Sequence, residues 1–295
     1  MDIQNEKIKN EIFQILPAKI YGMLKDIDFS DLREIRLRTN GQVMLYFGNE
    51  TKTLGNPLSA DNISEVFNSI CKNSVYAYLN EICNGFITLP GGHRVGISGE
   101  CVISGNEITN IHNLSGINIR IAREFKGCAF PIISHIKTAH EIKNTILISP
   151  PACGKTTMLR DIARIISARN KVTVIDERSE ICGAFRGTPQ FDVGTQTDVI
   201  TKSPKTLGII MALRALSPDV IITDEVGTKN DIEAIEEILG AGCKIITSIH
   251  GYSAESIKKS KGRLLSHFDL AIELTKRNGI PEIANIINME EFTYD

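Results

Sequence analysis

No apolar run in this sequence approaches the ~20 residues of a membrane-spanning helix, which argues against an integral helical membrane protein. The opening MDIQNEKIKNEIFQIL is too polar and too acidic for a secretory leader. The seven cysteines (71, 83, 101, 128, 153, 182 and 243) are odd in number and scattered, and no CxxC occurs. A disulfide framework or a zinc ribbon is therefore not expected, and free thiols in a reducing, cytoplasmic compartment are. Net charge is −2, so no global basic field favours nucleic acid or an acidic membrane surface. Internal repeats and low-complexity segments are also missing. What remains is a chain of 295 residues, 42% hydrophobic and 23% charged, a composition expected of a folded protein with about two domains.

The first 125 residues mix helical and strand periodicity. Ile8, Ile12, Ile15, Leu16, Ile20, Met23 and Leu24 fall at helical spacing broken by Pro17, which predicts two short helices with one apolar face. EIRLR and QVMLYF flank Asn40-Gly41, a hairpin signal. Helical spacing returns over 59–80, and a β section follows: GFITL, the turn Pro90-Gly91-Gly92-His93, RVGISGECVI and, after a Gly-Asn turn, INIRIAR at 117–123. Residues 1–125 are expected to form an α+β domain. Gly127, Pro131 and clustered polar residues mark 126–143 as a linker, leaving 144–295 as the second domain. There, apolar strands at 145–149, 171–175, 219–223, 243–249, 268–274 and 283–288 alternate with helices at 155–169, 204–216, 229–240 and 253–265. That alternation predicts a mostly parallel sheet covered on both faces.

The second domain opens with TILISPPACGKTTMLRDI: an apolar strand, a Pro-rich turn, Gly154-Lys155-Thr156-Thr157, and a helix with Leu159, Ile162 and Ile166 on one face. This is the layout of a phosphate-binding loop. Backbone N–H groups along Pro150, Pro151, Ala152, Cys153, Gly154, Lys155 and Thr156 lead into a helix N-terminus, where dipole and donors favour an anion; the prolines contribute carbonyls and shape but no donor. Lys155 would reach the β- and γ-phosphates, and the Thr156 hydroxyl would bind Mg²⁺. The motif asks for glycine where this chain has Ser149, a substitution that is tolerable if φ there is negative and strained if it is positive. The plainer alternative is a turn in which Gly-Lys-Thr-Thr merely starts a helix. Cys153 inside the loop could make it oxidation-sensitive, although a small loop-filler is the simpler account.

Three further strands end in polar residues. VIIT runs into Asp224-Glu225, where Asp224 would complete the Mg²⁺ shell and Glu225 would orient or deprotonate an attacking water. VTVI ends in Asp176-Glu177-Arg178-Ser179-Glu180, either a second source of water activation or a solvated loop with local arginine pairing. The strand over 245–248 ends at His250, a structural residue or a γ-phosphate sensor.

In this order, SPPACGKTTMLRDIAR, VIDERSE, LRALSPDVIITDE and TSIHGYSAES resemble the secretion and pilus motor ATPases of the type II/IV superfamily. EIRLR-TNGQ, GFITLPGGHRVGISGE and NLSGINIRIAR extend the resemblance over nearly the whole chain, toward a branch that serves sporulation. The resemblance implies a RecA-like P-loop domain behind a smaller α+β domain, with ATP and Mg²⁺ as cofactors. It implies a hexameric ring at the cytosolic face of a membrane-embedded secretion channel, on the mother-cell side. It places Ser149 to Thr157 around the nucleotide, Asp176 to Glu180 in an acidic box with Glu177 as a catalytic candidate, Asp224 and Glu225 as the Walker B acids, and His250 in a His box. A ring ATPase also needs a cation facing the γ-phosphate. Arg120 and Arg123 are the candidates, against the alternative of ordinary surface pairing, and Arg94 is a weaker one. The chain departs from the pattern at Ser149, at Asp224, where many pilus motors carry glycine, and at Gln196, where the sporulation branch is expected to have arginine.

Two other readings stay open at this point. One is a nucleotide-gated scaffold with negligible hydrolysis, motivated by Ser149 and Gln196. The other is a nucleic-acid-binding P-loop protein, motivated by Lys258, Lys259, Lys261 and Arg263, a run that a solvated helix face explains as well.

Overall fold

The structure is a computed structural model and describes residues 3–48, 50–277 and 280–292. The chain divides into two compact units, Met1–Arg123 and Glu124–Asp295. In the first unit, α1 (Ile3–Phe13) and α2 (Ala18–Leu24) are separated at Pro17, which caps α2 from an extended conformation. Strands β1 (Glu34–Arg38), β2 (Val43–Tyr46) and β3 (Thr51–Leu54) precede α3 (Ala60–Ile70), α4 (Leu79–Cys83), β4 (Phe86–Thr88), β5 (Arg94–Ser104) and β6 (Glu107–Arg120). Asn40 takes φ 61° in the β1–β2 turn, a left-handed conformation that asparagine tolerates. The six strands form one sheet in the order β3-β2-β1-β6-β5-β4, with antiparallel pairings. Period-2 alternation sends Ile35, Leu37, Val95, Ile117 and Ile119 into a core shared with Ile12, Ile20, Ile63 and Val66 of the helices.

The second unit is a three-layer sandwich. Its strands are β7 (Thr145–Ser149), β8 (Val172–Asp176), β9 (Thr197–Thr201), β10 (Val220–Thr223), β11 (Lys244–His250), β12 (Leu270–Arg277) and β13 (Ile280–Asn288). They are ordered β13-β12-β7-β11-β10-β8-β9, parallel except for β13. Strands β7, β8 and β10 are buried at every position, which explains their largely apolar character. Helices α5 (Phe130–Ile136) and α6 (Lys155–Ile166) pack on one face through Ile132, Ile136, Leu159 and Ile162. Helices α7 (Lys205–Ala215), α8 (Lys229–Gly240) and α9 (Ala254–Leu265) cover the other through Ile209, Ile235 and Ile257.

Two expectations differ from the structure. The stretch 126–143 is part of the second unit rather than a linker, because α5 buries Ile132 and Ile136 in that unit's core. Pro131 does not interrupt the chain there; it occupies the first turn of α5, where no N–H partner is needed. The parallel edge strand β9 lies where no strand was expected, because TDVIT carries only two adjacent apolar residues, without strand alternation, and only Ile200 is buried.

Candidate functional site

The parallel strands β7, β11, β10 and β8 deliver their C-terminal ends to one edge of the sheet, the position where such folds bind ligands. β7 runs directly into the loop 150–154, and Gly154 caps α6 with φ 81°. Ser149 belongs to the strand and has no positive φ; the left-handed conformations in the loop fall at Ala152 (φ 59°) and Gly154. The missing first glycine is therefore not a source of backbone strain. Ser149 is fully buried, and its hydroxyl donates to the Pro150 carbonyl at 2.9 Å. Cys153 is buried with its thiol directed at the Pro151 carbonyl, 3.7 Å away, as a small loop-filler would be. Pro151 and Ala152 are exposed, and Pro150, Thr156 and Thr157 are half-buried at the helix start.

Lys155 is buried, and desolvation lowers its pKa while the Glu225 carboxylate opposes that shift. Its ammonium stands within hydrogen-bond distance of four acceptors for its three N–H groups: the Ser149 carbonyl (3.1 Å), the Ser149 hydroxyl (3.3 Å), the Pro150 carbonyl (3.2 Å) and His250 Nδ1 (2.9 Å). His250 Nε2 lies 2.7 Å from Glu225 Oε1. An ammonium donating to Nδ1 assigns the ring proton to Nε2, which then donates to the carboxylate. Lys155, His250 and Glu225 thus form one hydrogen-bonded chain across β7, β11 and β10. Register builds it: His250 is directly opposite Ser149 on adjacent parallel strands.

Glu225 sits at φ 29°, a conformation a glutamate rarely adopts. Its N–H donates to Ser248 Oγ at 3.2 Å, and its carbonyl accepts from Lys205 Nζ at 2.6 Å. Lys205, at the start of α7, is itself buried and stands 3.9 Å from Asp231. Arg178 Nη1 lies 3.7 Å from Glu225 Oε2. Neither cation was expected to reach the catalytic candidate. A buried lysine at a helix start has no distinguishing sequence mark, whereas Arg178 was visible inside the acidic run.

The carboxylates divide by environment. Asp224 is buried, and its pKa rises to about 6, chiefly by desolvation, with Asp176, Glu180 and Glu225 adding to the rise and Lys205 opposing it. Asp176 is also fully buried, but it is spoken for: its oxygens accept the N–H groups of Glu180 (2.8 Å), Ile181 (3.2 Å) and Cys182 (2.8 Å). Its pKa is nevertheless pushed up, because burial outweighs those bonds. Glu177 is exposed and has no ion-pair partner among the described residues, so the acidic run contributes Glu180 and Arg178 to the site's charge rather than Glu177.

Mg²⁺ takes one or two protein ligands and completes its shell with water and phosphate oxygens. A buried carboxylate facing three others, with one lysine in opposition, fits such a cation, and the Thr156 hydroxyl at the α6 N-terminus is the second donor of suitable type. Among the described residues no group of three or more His, Cys, Asp or Glu side chains is set to hold a metal by itself.

The two arginine candidates belong to the first unit. Arg123 donates to Asn5 Oδ1 at 2.8 Å and to the carbonyls of Phe29 and Leu32, so its guanidinium is committed to holding that unit together. Arg120 is exposed on the sheet, between Glu34 on β1 and Arg94 on β5. Arg94 stacks on Phe86 with its guanidinium 4.0 Å from the ring centre.

A covered parallel sheet with a phosphate-type loop on its first strand and acids at the end of a neighbouring strand defines a RecA-like P-loop protein, with the fold of the secretion and pilus ATPases. The structure of the Legionella pneumophila ATPase DotB is similar over 94% of this chain and 82% of its own, with 17% identity and a TM-score of 0.63. The pilus retraction motor PilT with bound ADP is similar over 98% and 83%, with 14% identity and a TM-score of 0.59. The family described as "Sporulation stage III, protein AA" matches residues 6–288. Stage III sporulation protein AA of Bacillus subtilis (strain 168) is 34% identical over 294 residues, 95% of each chain. The chain belongs to the stage III sporulation protein AA family. Among the described residues, no helix is long and apolar enough to cross a membrane.

Proposed function

We propose that this protein is an Mg²⁺-dependent ATPase that works as a homo-oligomeric ring, hexameric by analogy with its fold relatives. In this reading it acts peripherally from the cytoplasmic, mother-cell side, powering assembly of or transport through a sporulation-associated secretion-like channel. The observation that carries the reading is the Lys155–His250–Glu225 chain, which joins the phosphate-loop lysine to a carboxylate at the end of the strand two over from β7. Ser149 to Thr157 wrap the phosphates, and Lys155 transfers its ammonium from the loop carbonyls to the β- and γ-phosphate oxygens. Thr156 and Asp224 would hold Mg²⁺, which when bound would supply positive charge to offset that of the phosphates. Glu225 takes the proton of the attacking water, and His250 couples its position to that of Lys155. Arg120 is the better candidate for a cation lent to a neighbouring subunit, since Arg123 is already bonded within its own unit. A net charge of −2 offers no support for a nucleic-acid partner.

Lys155→Ala is expected to abolish binding of a fluorescent ATP analogue. Glu225→Gln is expected to keep binding within about threefold while lowering phosphate release at least ~100-fold, the scale of losing a positioned base. Normal turnover by the Glu225→Gln protein would move the base to Glu177 or Glu180. Wild-type protein that binds ATP without phosphate release above the Lys155→Ala background would favour the scaffold instead.

A further inference from the structure

Gly154 is bounded on one side by another part of the chain. A methyl group built on its Cα would stand 3.0 Å from Pro281 Cγ and 3.1 Å from Pro281 Cβ. The ring of Pro281, on β13, therefore lies against the backbone that opens α6. Nothing in the phosphate-loop motif calls for this contact, because β13 is more than a hundred residues away in sequence.

Pro281 is paired across the β12–β13 hairpin with Lys276. Directly opposed residues in an antiparallel pair share a face, with Cβ atoms about 4.5–5.5 Å apart. The alternation along β12 places Lys276 on the same side independently. Leu270, Ile272 and Leu274 enter the core that α6 builds, whereas Ala271 enters the opposite one. Glu273 also faces away from α6, accepting the Ala254 N–H at the start of α9 at 2.7 Å. Continued by two residues, this puts Lys276 on the α6 face beside the phosphate loop and Arg277 on the α9 face. Lys276 is exposed and makes no ion pair among the described residues, so a flexible four-carbon stem carries its charge beside the loop.

Strand order decides which end of a nucleotide would meet this lysine. His250 and Glu225 lie on one side of β7, at the ends of β11 and β10, and the β12–β13 hairpin lies on the other. A triphosphate with its γ end toward Glu225 runs its α-phosphate and nucleoside past Gly154 toward the hairpin. We propose that the β12–β13 hairpin is the nucleoside-side wall of the site: Lys276 pairs with the α-phosphate of a bound nucleoside di- or triphosphate, and the Pro281 ring packs against its sugar. This inference rests on the nucleotide reading given above and adds to it a binding element from the C-terminal end of the sheet.

The test is equilibrium binding of fluorescent ATP and ADP analogues, with Mg²⁺, to wild-type, Lys276→Ala, Lys276→Arg and Arg277→Ala proteins. Lys276→Ala is expected to weaken both nucleotides about tenfold and by the same factor, as loss of one charge-assisted hydrogen bond would. Lys276→Arg should restore most of that loss. Arg277→Ala removes the same charge one residue away on the other face and should leave both affinities unchanged. A Lys276→Ala loss confined to ATP would place the lysine on the γ-phosphate and overturn the assignment. Equal weakening by Lys276→Ala and Arg277→Ala would reduce the effect to general charge and overturn it as well. Wild-type affinity in Lys276→Ala would overturn the hairpin's role while leaving the phosphate loop intact. Wild-type protein that binds neither nucleotide would overturn the nucleotide reading itself.

Discussion

Asp224 shows how burial turns a common residue into a sensor of its surroundings. Its folded pKa, about 6, lies above the value near 3.8 of a free aspartate, mainly because the charged form is desolvated. A raised carboxyl pKa means that the folded state holds its proton more tightly than the unfolded chain does. The group therefore subtracts stability as pH rises from about 4 to about 6, and that loss is complete at neutral pH. Each tenfold change in proton affinity is worth ~1.4 kcal/mol. Discounted for partial solvent access, Asp224→Asn is then expected to be more stable than wild type by about 2 kcal/mol at pH 7. The gain should shrink toward pH 4. Denaturant titrations of both proteins at pH 4.5, 5.5 and 7 check this, and a gain independent of pH would contradict it. In the proposed function the effect runs the other way, because a metal ligand at this position would have to be ionised. Below pH 6, Mg²⁺-dependent nucleotide binding by wild type should weaken by about tenfold for each further unit of pH, read as the difference between titrations with and without Mg²⁺. If Asp224 holds a cation as proposed, the stability lost by keeping it ionised is offset when the metal binds, and such local destabilisation is common where a residue serves chemistry.

At the scale of elements, the loop after β8 carries acids that looked equivalent in the sequence and are not. Asp176 organises the turn by accepting three backbone N–H groups. Arg160, buried on α6, holds the same turn from its other side by donating to the carbonyls of Glu180 and Ile181 and stacking on Phe191. Asp176→Ala would leave three donors unpaired and is expected to cost about 3 kcal/mol or more. Glu177→Ala, at an exposed position, should stay within about 0.5 kcal/mol. Thermal unfolding of the two variants separates these outcomes, and a similar shift in both would remove Asp176's organising role. Much of this architecture is legible in the sequence. Largely apolar runs mark β7, β8 and β10 because both faces of a parallel sheet are covered, and Gly-Lys-Thr-Thr marks the start of α6. The roles of individual acids are not legible. A strand end reads alike whether its carboxylate accepts N–H groups, as Asp176 does, or faces other charges, as Asp224 does. Lys205 and Pro281 are hidden for the same reason: each acts through a residue distant in sequence, Glu225 and Gly154 respectively.

For the whole molecule, the separation of cores sets how it should unfold. The first unit closes around its own cluster, from Ile8 to Ile119, and the second around two clusters on either side of its sheet. Units with cores of their own are expected to melt as separate cooperative transitions. The phosphate loop, Asp224, Glu225 and His250 all belong to the second unit. A nucleotide bound there stabilises that unit by RT ln(1 + [L]/Kd), about 2.7 kcal/mol at a hundredfold excess over Kd. Scanning calorimetry of dilute, unassembled protein should therefore show two transitions, with Mg²⁺ and ATP raising the melting temperature of one by several degrees and leaving the other in place. Lys155→Ala should abolish the shift while keeping both transitions. The same samples test the ring by sedimentation. A neighbour's Arg120 can reach a nucleotide only in an assembly, so Mg²⁺ and ATP would then favour a larger species and both transitions would move together as protein concentration rises. If ATP moves a single transition at every concentration and the sedimentation coefficient stays that of a monomer, the nucleotide site stands and the ring does not.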